Sequence, residues 1–217
     1  MQEFIVSTLE DENDSDFSEG DLSLREAIAL TESGDTITFD SNLSSGTINL
    51  SLGELAIDKS LTIQGLGANN LTIDANQRSR IFNINDGDDD FLTNVSIDGL
   101  TIANGFTGGN RFGPGEDGAG ILNQENLTVN NSVVTGSFIQ IGSGGGIANE
   151  GELTLNNSLI SDNLVGFRSL GGAGILNRGT LNVINSTIAD NSSFSVGGGI
   201  NNLGGTVNVT NLADGHK

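Results

Sequence analysis

Short apolar-polar-apolar triplets recur along most of the chain. The first are Ile37-Thr-Phe39, Ile48-Asn-Leu50, Leu61-Thr-Ile63, Leu71-Thr-Ile73, Phe82-Asn-Ile84, Val95-Ser-Ile97 and Leu100-Thr-Ile102. Alternation with period two marks strands that bury one face. After residue 118 the pattern tightens into a repeat. Gly120-Ile-Leu-Asn123, Gly146-Ile-Ala-Asn149, Gly174-Ile-Leu-Asn177 and Gly199-Ile-Asn-Asn202 place their isoleucines 26, 28 and 25 residues apart. Behind the first three follow Leu127-Thr-Val129, Leu153-Thr-Leu155 and Leu181-Asn-Val183, each trailed by Asn-Ser and then by Val133-Val134, Leu159-Ile160 or Thr187-Ile188. Val207-Asn-Val209 begins a fourth copy. Strands this short, repeating about every 25 residues between turn formers, suit a coil whose turns stack on one another. The expected fold is all-β, a single-stranded right-handed parallel β-helix. Ile, Val and Thr dominate, and leucine-rich-repeat spacing is missing, which disfavours the competing solenoid.

Stacking superimposes like residues. Leu127, Leu153, Leu181 and Val207 are expected to form one aliphatic column, and Val134, Ile160 and Ile188 another. Asn131, Asn157, Asn185 and Asn211 should share a corner, where Asn tolerates left-handed backbone angles and can pair with its equivalent one turn away, as an asparagine ladder. Before the coil, Ser23 stands three residues ahead of Glu26, and apolar Leu24, Ala27, Ile28 and Leu30 follow: a capping box and a short amphipathic helix closing the coil's end. Three regions result: 1–35 with an N-terminal strand, an acidic loop and the capping helix; 36–117 with irregular rungs; 118–217 with regular ones. No cap is visible after Val209, so a truncated section of a longer chain is expected.

Composition sharpens this reading. Thirty-two glycines and one proline fit strands and tight turns rather than helices. Twenty-eight acids against eight bases give a net charge of −20, which repels nucleic acid and anionic membranes. Half of the acids fall in residues 1–60. No apolar run of about 18 residues or signal-peptide pattern occurs, so direct membrane insertion is not expected. Cysteine is absent, which excludes disulfides and thiolate metal sites.

Leu22-Ser-Leu-Arg-Glu-Ala27 resembles the Cys-Ser-Leu-Arg-Glu-Ala motif that names the bacterial CSLREA domain, found ahead of right-handed β-helix repeats. Asp35-Thr-Ile-Thr-Phe39, Gly53-Glu-Leu-Ala-Ile57, Leu61-Thr-Ile-Gln-Gly65, Asn70-Leu-Thr-Ile-Asp74 and Ser79-Arg-Ile-Phe82 look like its continuation. The Gly-Ile and Asn-Asn-Ser elements are similar to repeats of polymorphic outer-membrane proteins. Two departures stand out: Leu22 replaces the cysteine, and the Phe-x-x-Asn element of the chlamydial repeats is missing, so adhesion through it does not carry over. The resemblance implies a protein secreted or displayed on a bacterial surface, possessing the pectin-lyase-like solenoid fold.

That fold also hosts polysaccharide lyases and hydrolases, so the site must decide function. The one histidine, His216, is next to the last residue. Glycoside hydrolysis needs two acids about 5 Å or about 6.5–9.5 Å apart. The regular rungs put Asn, Thr or Ser on most outward positions, and Arg78, Arg80, Arg111 and Arg168 are scattered. A non-catalytic module for adhesion, ligand binding or structural display is therefore the expectation; a carbohydrate-active enzyme and a passive spacer are the alternatives. The segments preceding each Gly-Ile element carry Phe106 and Phe112, then Phe138, Phe167 and Phe194, with Arg111 and Arg168 beside them. Two readings stay open: these rings cover the core's edge, or they form an aromatic and cationic strip for a glycan or a surface protein. No cofactor is required. Ca²⁺ is a candidate ligand for Asp86, Asp88, Asp89 and Asp90, whose oxygens suit a hard cation although no EF-hand spacing is present. The acidic run 10–16 is expected to be a disordered loop. Ice binding by a column of Thr62, Thr72, Thr128 and Thr154 is a minor alternative.

Overall fold

The computed structural model describes residues 1–18, 20–88, 92–108, 116–167 and 169–210, and is a right-handed parallel β-helix. All strand pairings are parallel, and each regular rung passes through four sheets. Sheet I has eight strands: Glu3–Val6, Asp35–Phe39, Leu61–Gln64, Asn94–Asp98, Asn126–Asn130, Glu152–Asn156, Thr180–Ile184 and Thr206–Thr210. Sheet II has six, among them Leu71–Asp74, Thr101–Ala103, Val133–Thr135, Leu159–Ser161 and Thr187–Ala189. Sheet III has four strands of two residues: Phe106–Thr107, Phe138–Ile139, Leu164–Val165 and Ser192–Ser193. Sheet IV has six, including Phe82–Ile84 and the Gly-Ile strands Ile121–Asn123, Ile147–Asn149, Ile175–Asn177 and Ile200–Asn202.

Alternation places the expected columns inside. Leu127, Leu153, Leu181 and Val207 pair in register, as do Val134, Ile160 and Ile188. The coil starts earlier than residue 36 suggests, because Glu3–Val6 pairs with Asp35–Phe39 and adds a strand to sheet I.

The buried asparagine ladder stands at a different corner from the one expected. Asn131, Asn157 and Asn185 adopt φ of 47–50°, the left-handed corner, but the amide of Asn131 turns to Asp98 and that of Asn157 reaches Asn131 only at 3.5 Å, both exposed. Asn211 lies outside the described residues. The inward ladder is instead made by the last residues of the Gly-Ile strands. Nδ2 of Asn123 donates to Oδ1 of Asn149, Asn149 to Asn177, and Asn177 to Asn202, each at 2.7 Å. The first three of these side chains are fully buried. A second column caps the opposite turn, where backbone N–H groups of Leu100, Ser132 and Ser158 donate to the hydroxyls of Ser132, Ser158 and Ser186. Inward corners thus meet the rule that buried polar groups be paired.

Glycine is required where rungs touch. A Cβ on Gly146 would lie 2.7 Å from the carbonyl oxygen of Gly174 on the next rung, a backbone atom that cannot swing aside. The same close approach explains Gly120 and Gly174 ahead of their isoleucines, whereas Gly199, on the last rung, meets no backbone atom.

The helix Leu24–Leu30 forms with the expected capping box: Ser23 accepts from the N–H of Glu26, and Glu26 accepts from that of Ser23. Leu24, Ala27 and Ile28 are buried, whereas Leu30 is exposed. Leu22, at the position of the motif's cysteine, packs against the core. The acidic run is ordered rather than disordered. Asp11 pairs with Arg25 at 2.7 Å and accepts the N–H groups of Ser51 and Leu52, while Glu26 accepts those of Asp14 and Ser15. Charge composition suggested a solvated loop; partners up to 41 residues away hold it.

The same loop stores repulsion. One carboxylate oxygen of Glu12 is buried without a partner, and burial, then Asp21, Asp14, Glu26 and Glu10, push its pKa above the ordinary value. A raised acid pKa means that the folded state favours the proton, so ionisation costs stability once pH exceeds the ordinary carboxylate range. Glu12→Gln should therefore raise the melting temperature at pH 7, with the gain shrinking as pH falls through the raised Glu12 pKa. A melting curve unchanged or lowered at pH 7 would refute this.

Candidate functional site: the outer face of sheet III

Sheet III stands apart from the main core. Its inward residues Ile139 and Val165 pack with Ala119 and Ala173 in a separate four-residue cluster. Ala119 and Ala173 come from the Gly-Ala-Gly turns that lead into sheet IV. With the inward positions filled, strand alternation turns the other residue of each dipeptide outward. Pairing stacks Phe106, Phe138, Leu164 and Ser192 into one outward column. The rings of Phe106 and Phe138 are tilted against each other, with centroids 5.8 Å apart.

Where the strands run out, Phe167 and Phe194 stack at 4.5 Å between centroids. They remain 69% and 59% exposed, so the rings do not seal the core's edge; Ile139 and Val165 do that. Phe138, Gln140, Ile141, Leu164, Gly166, Phe167 and Phe194 enclose an open groove of about 350 Å³. A side chain at position 166 would meet the carbonyl of Gln140 at 2.7 Å, so the floor there is bare backbone. Leu170 and Val196 are also exposed.

The structure thus brings Phe138, Phe167 and Phe194 to one groove and joins Phe106 to it through Phe138. Phe106 and Phe138 lie in strands, not in the loops expected from sequence. Arg111, Phe112 and Arg168 lie outside the described residues. Sequence reading missed Gln140, Ile141 and Leu164, although the apolar dipeptides Phe138-Ile139 and Leu164-Val165, both 26 residues apart, were the available signal.

The other candidates are distributed differently. Asp86 is spent on the protein: it accepts the Thr93 hydroxyl and the N–H of Asp88, and these two bonds, led by Thr93, hold its pKa below the ordinary value. Glu125, almost fully buried, accepts the N–H groups of Asp86 and Thr93 and so closes the base of that loop. Among the described residues no three His, Cys, Asp or Glu side chains converge to hold a metal ion. Asp88 is at the same turn, while Asp89 and Asp90 lie outside the described residues. The outward hydroxyl column of sheet I is Thr36, Thr62, Ser96, Thr128 and Thr154, continued by Asn182 and Asn208; Thr72 belongs to sheet II, between Thr47 and Thr101. Near sheet IV, Asp117 and Glu150 are both bound by Arg178, at 2.8 and 3.3 Å. Among the described residues no helix is long and apolar enough to cross a membrane.

Fold and face together define a parallel β-helix carrying an aromatic outer strip. No protein-family model, curated protein or solved structure matches the chain. The likeness of Leu22-Ser-Leu-Arg-Glu-Ala27 to the CSLREA motif therefore stands on those residues alone.

Proposed function

We propose that this chain is a non-catalytic binding module, displayed outside the cell, whose sheet III face holds a glycan. The observation that carries the reading is the outward Phe106–Phe138–Leu164 column with the exposed Phe167–Phe194 stack just past the ends of its last two strands. The apolar C–H face of a sugar ring packs flat on an aromatic ring while its hydroxyls reach polar groups at the edge, here Gln140. A groove of about 350 Å³ falls within the range of small-ligand sites. A protein partner is less well matched, since stable protein interfaces bury roughly 1,200–2,000 Å².

Absence of chemistry from the proposal is supported by Asp117 and Glu150: both are engaged by Arg178, and so are poorly suited to act as a free acid pair. Display outside the cell rests on the CSLREA-like residues. Glycan-array binding by the intact chain should weaken about tenfold or more in both Phe167→Ala and Phe194→Ala, equivalent to about 1.4 kcal/mol or more. Both side chains are exposed, so melting should change little. Array binding that is absent, or indifferent to both substitutions, would sink the reading and leave the spacer role. Release of reducing or unsaturated ends from polysaccharides would favour the enzyme.

A further inference from the structure

Five basic side chains occur among the described residues, and four are engaged. Arg25 holds Asp11, Lys59 holds Asp58 and two helix-end carbonyls, Arg80 holds Glu54, and Arg178 holds Asp117 and Glu150. Arg78 is the exception: its side chain is exposed and, among the described residues, makes neither a hydrogen bond nor an ion pair, in a chain of net charge −20.

It lies on a second cleft, of about 290 Å³, whose walls include Arg80, Phe106, Thr107, Glu54 and Glu116. Both Glu54 carboxylate oxygens are occupied, one by Arg80 at 2.6 Å and one by Asn83 at 2.9 Å. Phe106 is the shared wall: one side faces this cleft, and its ring meets Phe138, which lines the aromatic groove. Strands are spaced about 4.8 Å apart, so the column from Phe106 to Ser192 spans roughly 14 Å. A ligand lying along it passes from an apolar end at Phe167 and Phe194 to a cationic end at Arg78.

Resting on the glycan reading, we infer that the ligand is a glycan bearing an isolated acidic sugar, whose carboxylate is held by the Arg78 guanidinium beside Phe106. The planar guanidinium can donate two parallel N–H groups to a carboxylate. At physiological salt, charges more than about 8 Å away are largely screened, so the adjacent Arg78 outweighs the acids beyond its own cleft. A polyuronate is disfavoured, because among the described residues the other four basic side chains are already engaged and further carboxylates would meet an acidic surface. Glu116, exposed on the same cleft, works against the carboxylate and sets a limit to the preference.

The test is an array of neutral trisaccharides, gluco-, galacto- and manno-configured, each paired with the same trisaccharide carrying one sugar oxidised at C6 to the carboxylate, read at about 0.15 M salt. The expected result is a three- to tenfold preference for acidic members, abolished in Arg78→Gln with neutral binding retained, and enlarged in Glu116→Gln. Equal binding of each pair, or a preference that survives Arg78→Gln, overturns the inference while leaving the glycan reading intact. No binding by any member overturns both. Melting curves of both variants should match the parent, since among the described residues neither side chain makes a hydrogen bond or ion pair.

Discussion

Asn149→Ala should destabilise the protein by about 3–5 kcal/mol, the sum of several buried hydrogen bonds lost at once. Asn149 is the middle of the inward ladder. Its amide donates to Asn177 at 2.7 Å, to the Thr180 carbonyl at 3.0 Å and to the Gly151 carbonyl at 3.2 Å, and it accepts from Asn123. Truncation takes the donor from the fully buried Asn177 Oδ1 and removes bonds to two part-buried carbonyls, of which Gly151 keeps the Thr180 N–H, and each buried polar atom left unpaired costs about 1–3 kcal/mol. Asn131 offers the internal control: it sits at the outer corner, and its amide bonds are exposed. Asn131→Ala should cost about 1–2 kcal/mol, mainly from the left-handed φ that alanine dislikes. Chemical denaturation of both variants measures the contrast; equal losses would mean that the inward ladder has no special weight.

Asp11→Asn should cost a comparable amount, about 3–5 kcal/mol, by leaving Arg25 without its counter-charge in a partly buried setting. Arg25 is held by both Asp11 oxygens and by the carbonyls of Gly53 and Glu54, so it cannot swing out to water without releasing the loop between sheets II and IV. Burial pushes the Asp11 carboxyl up, but Arg25 and the N–H groups of Leu52 and Ser51 outweigh it and leave the pKa below its ordinary value. A depressed acid pKa gives stability that is complete above the unfolded value and fades as pH falls through the folded one. The gap between parent and variant should therefore be full at neutral pH and narrow only below about pH 4. A gap that is small at pH 7, or unchanged down to pH 2, would show that Asp11 does not act through its charge.

The stacked columns were legible because a parallel coil repeats its strands in register, so spacing alone assigns Leu127 to Leu153 and Val134 to Ile160. Spacing could not say which asparagine column turns inward. Asn123, Asn149 and Asn177 recur with the same steps as Asn131, Asn157 and Asn185, and burial depends on the direction each corner faces. The acidic loop misled for a different reason: its partners Arg25, Ser51 and Leu52 are distant in sequence, and charge density records only the cost of ordering such a segment. Sheet III was half legible. Its phenylalanines were visible, but two-residue strands are too short for alternation to announce them, and Leu164 and Gln140 carry no signal beyond position in the repeat. Arg78 was noticed only as one of several scattered arginines, because its lack of a partner is a property of the folded surroundings.

The small cluster of Ala119, Ile139, Val165 and Ala173 has an evolutionary consequence. Because this side lobe is packed separately from the main core, its outer residues can mutate while the continuous coil keeps its stability. Descendants of one scaffold could diverge in what they recognise without refounding the fold, and a protein engineer could graft new specificities onto the same few positions.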